Sequence, residues 1–304
     1  MHGEPSMKTT ITGGLGFVGS HVLAARLALG DEVTTVDLKA ASGQEASHIE
    51  GDLRDPAVVA QSIPEGTEAI VHLAARTSVL GSIKDPQGTF EHNVLATHLM
   101  LERARAIGVK HVVMASTNAV TGNVGTQVIS EILPTRPLTP YGATKAAGEA
   151  LLSSHASSYG FSGVALRFTN IYGTGMGEKD SVIPRLMRAA LDGGSISVYG
   201  DGQQVRDYVY VTDVAEAINL ALGLENSDVF TIGSGSSVSV LDLHAAVVAA
   251  SGIDIPLEHV AAQAGEMPAV IVNIAKAQGI GFTPQFDLLA GLSETWSDFL
   301  AARG

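Results

Sequence analysis

TGGLGFVGSH, residues 12–21, sets Gly13, Gly16 and Gly19 in a G-x-x-G-x-x-G register, and what flanks it decides the fold. Upstream, KTTI (8–11) is short and β-branched and ends at glycines, as a buried strand does. Downstream, Val18, Val22, Leu23, Leu27 and Leu29 recur near helical spacing from Phe17 onward, and Gly30 is placed to end the helix. Glycines at a strand–turn–helix junction allow a tight turn. They also let an anion approach backbone N–H groups at the positive end of the helix dipole.

The next strand, EVTTVD (32–37), ends on Asp37, 18 residues beyond Gly19. A carboxylate there accepts hydrogen bonds from both ribose hydroxyls of NAD and repels the 2′-phosphate of NADP, so the pattern reads as a dinucleotide cradle for NAD. Strand-like runs recur at HIEGD (48–52), AIVHLA (69–74), HVVMAS (111–116) and GVALRF (163–168). Helix-like stretches intervene, notably 89–108 and 141–160. Such alternation predicts an α/β fold, a doubly wound parallel sheet covered on both faces. After Asn170 the rhythm loosens into loops around two helix candidates, 182–193 and 212–223. A dinucleotide-binding domain over 7–170 and a smaller substrate-binding lobe over 171–304 follow, with some later segments returning to the sheet.

Composition excludes several classes. The chain has 304 residues, long enough for one large or two modest domains. Its 18 Lys+Arg against 31 Asp+Glu give a net charge of −13, which repels nucleic acid and anionic membranes. No apolar run approaches the roughly 20 residues of a membrane span. The absence of cysteine rules out disulfides and thiolate metal sites and suits the cytoplasm. The ten histidines lack ligand spacing, so no metal is expected, and no G-x-S-x-G elbow points to a serine hydrolase. MHGEPS (1–6) reads as a leader or an alternative start before Met7.

Two further pieces carry chemistry. ASTNAVTG (115–122) places Thr117 at the C-terminal end of the fifth strand, and YGATK (141–145) sets Tyr141 and Lys145 on one helical face. Y-x-x-x-K is common on ordinary surface helices, but this one follows a nucleotide-binding sheet. There a protonated Lys145 and a bound nicotinamide bring the Tyr141 phenol down from its usual value of about 10, making it a general base. Thr117 is placed to hold the oxygen that Tyr141 deprotonates. GDLRD (51–55) ends the third strand with Asp52 and Leu53 against an adenine, although Asp52 serves equally as a helix-capping acid near Pro56.

With TGGLGFVGSH, Asp37, GDLRD, HLAA (72–75), Asn93, ASTNAVTG, YGATK, LRFTNIYG (166–173), VIPRLM (182–187) and YGDGQQVRDYVYVTDVAEAI (199–218), the chain resembles the extended short-chain dehydrogenase/reductase superfamily and, within it, the nucleotide-sugar epimerase/dehydratase family. The resemblance spans about Lys8 to Trp296 and implies a Rossmann-type NAD domain and a nucleotide-sugar lobe. It also implies chemistry that begins by oxidising a sugar hydroxyl. It makes Thr117, Tyr141 and Lys145 catalytic. For the cofactor it implies Gly13, Gly16, Phe17, Val18, Gly19, Asp37, Asp52, Leu53, Leu73, Ala74, Ala75, Asn93, Tyr141, Lys145 and Phe168. For the substrate it implies Ser78, Thr117, Asn118, Tyr141, Asn170, Val182 and Arg206. Relatives commonly form homodimers through the helices at 89–108 and 141–160.

The places one and two after Thr117 hold Asn118 and Ala119, where dehydratases of the family carry an acid. Neither protonates a leaving hydroxide, so the expectation is an NAD-dependent epimerase acting at C4 of a nucleotide-linked sugar such as a UDP-hexose. Two departures favour an alternative. Thr121 replaces a usual tyrosine, and Gln263 in AQAGEMP (262–268) stands where the family has a diphosphate-clamping arginine. On those grounds a dehydrogenase or ketoreductase of a sugar, sugar acid or nucleotide sugar is the second expectation, and a silent NAD-binding scaffold the third.

Overall fold

The computed structural model describes residues 6–41, 46–261 and 269–303. Two compact units emerge: Met1–Gly122, Glu131–Phe168 and Ala215–Phe230 form the first, and Asn123–Ser130, Thr169–Val214 and Thr231–Gly304 the second. The stretch 123–130, expected within the first domain, thus falls in the second unit.

The first unit is built on strands β1 (Lys8–Thr12), β2 (Glu32–Asp37), β3 (Ser47–Glu50), β4 (Ala69–His72) and β5 (His111–Thr117), with Ser162–Phe168 and the strand Asp228–Ile232, whose last two residues are assigned to the second unit, completing a seven-stranded sheet. Its order is Asp228–Ile232, Ser162–Phe168, β5, β4, β1, β2, β3. β1 pairs in parallel with both β2 and β4, so the chain winds one way from β1 to β3 and the other way from β4 onward. Ligands of such sheets bind at this switch, outside the C-terminal strand ends. The glycine turn after β1 and Leu73–Ala75 after β4 both lie there.

All four residues of β4 are buried, and every residue of Ser162–Phe168, as expected for central strands covered on both faces. Helix α1 (Phe17–Ala28) and the helices Pro56–Ser62, Ala96–Ile107 and Pro140–Tyr159 supply that cover. Ile63, Ile70, Met100, Leu101, Val112 and Leu152 form the centre of one apolar core, each no more than 2% exposed.

The segment 89–108 is not one regular helix. Pro86–Phe90 leads into a single wide turn, Glu91–Leu95, before Ala96–Ile107 resumes as α-helix and ends at Gly108 with φ +75°. Hydrophobic spacing does not register one such turn, which is a frequent mark of a functional position. Asn93 sits on it.

In the second unit, Val205–Tyr210 pairs in parallel with Asn170–Tyr172 and antiparallel with Ser237–Ser239. Helices Val182–Asp192 and Val211–Leu222 match expectation, the latter running from this unit into the first. Val240–Ser251 and Leu288–Ala301 are additional. Ser239 and Asp242 close a reciprocal capping box at the start of Val240–Ser251.

Candidate active site

The cofactor cradle begins where β1 ends. Gly13 has φ +69°, and a Cβ there would lie 2.9 Å from the Ala74 nitrogen. A Cβ on Gly19 would collide with the Gly13 carbonyl oxygen. Only hydrogen fits at either place, so the turn is shaped for a backbone-lined anion seat at the start of α1, where Gly16 is the N-cap. Phe17 and Val18 form its first turn.

Asp37 closes β2 beside this turn. Its carboxylate accepts from Leu15 N at 3.2 Å and from Lys39 N at 3.2 Å, which fixes it at the loop without using all of its acceptor capacity. Across the switch point, Leu73 N and Ala74 N both donate to Thr12 Oγ1, at 3.2 and 3.1 Å, leading into Ala75. The glycine constraints and the placed acid fit a dinucleotide.

Three residues expected at the cofactor make contacts within the protein. The Asp52 carboxylate is gripped by Arg54, whose Nη2 stands 2.6 Å away and whose Nη1 reaches Glu91 at 2.9 Å. Hydrogen bonding from Arg54 holds the Asp52 carboxyl below the usual range. The helix Pro56–Ser62 is capped by Asp55, not by Asp52. Leu53 is 6% exposed and belongs to the core. Asn93 accepts from Arg76 N at 2.7 Å and donates to Arg76 O and to Thr144 Oγ1, each at 3.0 Å. Both of its amide hydrogens are therefore engaged within the protein, and it acts as a brace.

The reactive trio lies at the ends of adjoining elements. Thr139 caps the helix Pro140–Tyr159 by accepting from Gly142 N, and Pro140 occupies the first turn, so Tyr141 starts the helix and Lys145 follows one turn later. Thr117 ends β5, opposite Phe168 in the parallel register. Its hydroxyl lies near enough to the Tyr141 phenol to favour the ionised form. Thr117 Oγ1 also accepts from Ala119 N at 3.2 Å and donates to Asn118 Oδ1 at 3.4 Å.

Lys145 Nζ donates to Ala115 O at 2.8 Å. Burial pulls this ammonium down to about 8, and the Glu149 carboxylate works against that pull. Tyr141 is pushed up to about 12, chiefly by burial, with the Thr117 hydroxyl opposing. The protein's own groups therefore do not bring the phenol toward neutrality, because burial wins; the positive charge of an oxidised nicotinamide, if bound beside it, would lower it.

Beneath the trio, Arg167 Nε and Nη2 donate to Glu149 at 2.9 and 2.7 Å, and Ser116 Oγ donates to the same carboxylate. Glu149 lies four residues past Lys145, on the same helical face, and its importance comes from partners distant in sequence, Arg167 and Ser116.

Ser78 caps the short helix Val79–Lys84, accepting from Gly81 N at 2.9 Å. Within the second unit, Asn170 Nδ2 donates to Asp207 O at 2.9 Å, Arg206 lies beside Asp207 on the strand Val205–Tyr210, and Val182 opens its helix. Asp207 is fully buried and accepts from Thr169 Oγ1, Ser234 N and Ser234 Oγ at 2.8–2.9 Å, anchoring that strand. Thr121 is buried and donates to Asn118 O at 2.8 Å. Gln263 lies outside the described residues. Among the described residues no group of three or more His, Asp or Glu is placed to hold a metal ion, and no helix is long and apolar enough to cross a membrane.

A glycine cradle with an acid after the second strand, and a hydroxyl, tyrosine and lysine after the fifth, are the arrangement of an NAD-dependent enzyme of the extended short-chain dehydrogenase/reductase type. Residues 9–233 match the NAD dependent epimerase/dehydratase family, and the chain belongs to it. It is 34% identical over 322 residues to the UDP-glucose 4-epimerase of Corynebacterium glutamicum, covering 98% of this chain and 97% of that one. The Thermus thermophilus UDP-glucose 4-epimerase solved in complex with NAD superimposes with a TM-score of 0.91 at 33% identity, over 97% of this chain and all of that one. A UDP-N-acetylglucosamine 4-epimerase from Methanobrevibacter ruminantium, in complex with UDP-N-acetylmuramic acid, superimposes with a TM-score of 0.90 at 29% identity, over 98% and 100%.

Proposed function

We propose that this protein inverts C4 of a nucleotide-linked sugar, a UDP-hexose or a close relative, using NAD that stays in place through the cycle. The observation that carries the reading is the Thr117–Tyr141–Lys145 trio followed by Asn118 and Ala119. The hydroxyl chemistry is complete, whereas the acid needed to expel a neighbouring hydroxide has no counterpart at those two places.

Tyr141 removes the proton of the C4 hydroxyl, and Thr117 hydrogen bonds to the same oxygen as it becomes a carbonyl. Lys145, held on Ala115 O, places a positive charge beside the phenolate. NAD, held at the glycine turn and Asp37, would supply the hydride acceptor and donor for C4. Between the two hydride transfers the 4-keto sugar presents its other face, and Tyr141 returns the proton to the new alcohol.

Asp37 selects NAD, Gly13, Gly16 and Gly19 seat the pyrophosphate, and the second unit recognises the nucleotide sugar through Asn170, Val182 and Arg206. We assign the protein to the cytoplasm on its lack of cysteine. A homodimer is supported by Phe90, Leu95 and Tyr159, which are 52%, 38% and 54% exposed on the segments assigned to pairing.

The test is incubation with UDP-glucose, UDP-galactose, their N-acetyl and uronic acid forms and free uronic acids, following absorbance of the reduced cofactor and product stereochemistry together. A C4-inverted product without reduced cofactor accumulating upholds the reading. Stoichiometric reduced cofactor with an oxidised sugar rejects it in favour of a dehydrogenase.

A further inference from the structure

His72, the last residue of β4, is 2% exposed and takes no part in the chemistry above. Its Nδ1 lies 2.8 Å from Thr12 Oγ1 and its Nε2 lies 2.9 Å from Thr97 Oγ1. The proton on Thr97 is fixed by a third group. Thr97 Oγ1 is 2.6 Å from Asn93 O, which only accepts, so the Thr97 hydroxyl proton points there and His72 Nε2 must donate. Thr12 Oγ1 accepts from Ala74 N and shares Leu73 N with the Thr12 carbonyl oxygen. With the hydrogen of a neutral imidazole on Nε2, Nδ1 is an acceptor, and the Thr12 hydroxyl donates to it. Burial, followed by the nearby Lys145 charge, holds this ring down at about 3.

The hydrogen bonds continue past Asn93. Its Nδ2 donates to Thr144 Oγ1, and Thr144 Oγ1 donates to Tyr141 O at 2.8 Å. A buried polar chain thus runs from Ala74 N, where the cofactor cradle turns, through Thr12, His72, Thr97, Asn93 and Thr144, to the backbone of Tyr141. Each hydroxyl in it has one acceptor for its proton, so its direction is unique.

We propose that His72 is a positioning residue that fixes the cofactor cradle through Thr12 and the start of the catalytic helix through Thr97 and Asn93, setting the distance between bound nicotinamide and Tyr141. The inference rests on the NAD site described above. A residue that merely fills the core tolerates an apolar replacement of similar size. A coupling residue fails in two separable ways, one for each nitrogen.

The test uses the full chain, with thermal unfolding to show that each variant is folded. Nitrogen-15 NMR of the imidazoles comes first: His72 is expected as the Nε2–H tautomer with no titration from pH 5 to 8. Thr97→Val severs only the arm toward Tyr141, and His72→Asn keeps an acceptor for Thr12. Both are expected to hold NAD affinity within about twofold of native while kcat falls about tenfold. His72→Phe severs both arms and is expected to lower NAD affinity and kcat about tenfold each.

An Nδ1–H or titrating His72 overturns the proposal. So does native kcat in Thr97→Val and His72→Asn, or native NAD affinity in a folded His72→Phe. If no sugar is turned over, the epimerase reading fails alone, because the tautomer and the NAD affinity of His72→Phe still decide this proposal.

Discussion

Glu149 stands one helical turn beyond Lys145, buried, with its carboxylate held in a two-pronged grip by Arg167. Its negative charge keeps the Lys145 ammonium from falling further as burial pulls it down. A lysine lowered from 10.5 to about 8 binds fewer protons when folded than when unfolded over that window. Its contribution to stability therefore rises as the pH climbs from about 8 to 10.5. On the proposed mechanism activity has the opposite sign: the phenolate of Tyr141 needs the ammonium, so turnover is expected to decline above a pH near 8. Glu149→Gln is expected to move that alkaline limb to lower pH, as a pH profile of kcat will record; an unmoved limb rejects the link.

Removing the proton carrier leaves the cradle intact. Tyr141→Phe is expected to lower kcat by about 10²–10⁴-fold, the range for a lost general acid–base group, with NAD affinity unchanged. Equilibrium NAD binding beside steady-state rates checks both halves.

Asp37 closes β2 beside the glycine turn, fixed by Leu15 N and Lys39 N, and is proposed to take the cofactor ribose. Asp37→Ser removes the charge that repels a 2′-phosphate and is expected to erode the preference for NAD over NADP by about tenfold or more, mostly through weaker NAD binding. Competition binding of the two dinucleotides measures it, and an unchanged ratio removes Asp37 from its role.

Arg26 and Asp31 form an ion pair at 2.7 Å with both side chains at most 2% exposed, and Asp31 also accepts from Thr9 Oγ1 and Met7 N. Asp31→Ala leaves the guanidinium buried without its carboxylate. A loss of about 3–5 kcal/mol in unfolding free energy is expected, with kcat of the remaining folded protein near native.

Much of this architecture was legible in sequence because its signals are local. The glycine register, Asp37 at the end of EVTTVD, and the Tyr141–Lys145 spacing each follow from backbone geometry within a few residues, and the strands β1, β2 and β5 fall within about a residue of expectation. What stayed hidden depends on distant partners. Arg54 captures Asp52 by a side-chain rotation that no periodicity encodes. The wide turn at Glu91–Leu95 shifts Asn93 toward Arg76 and Thr144 while leaving the apolar pattern intact. The raised phenol of Tyr141 reflects burial, which is a property of the folded surroundings and not of YGATK itself.

In the proposed cycle one hydride leaves C4 and returns to the same carbon on its other face. UDP-glucose and UDP-galactose carrying deuterium at C4, with the N-acetyl forms beside them, test it most directly by mass and NMR analysis of the inverted product. Deuterium is expected to be retained at C4 of the epimer, with none in solvent and none in released cofactor. Deuterium lost to solvent, or accumulating in free reduced nicotinamide, would contradict it.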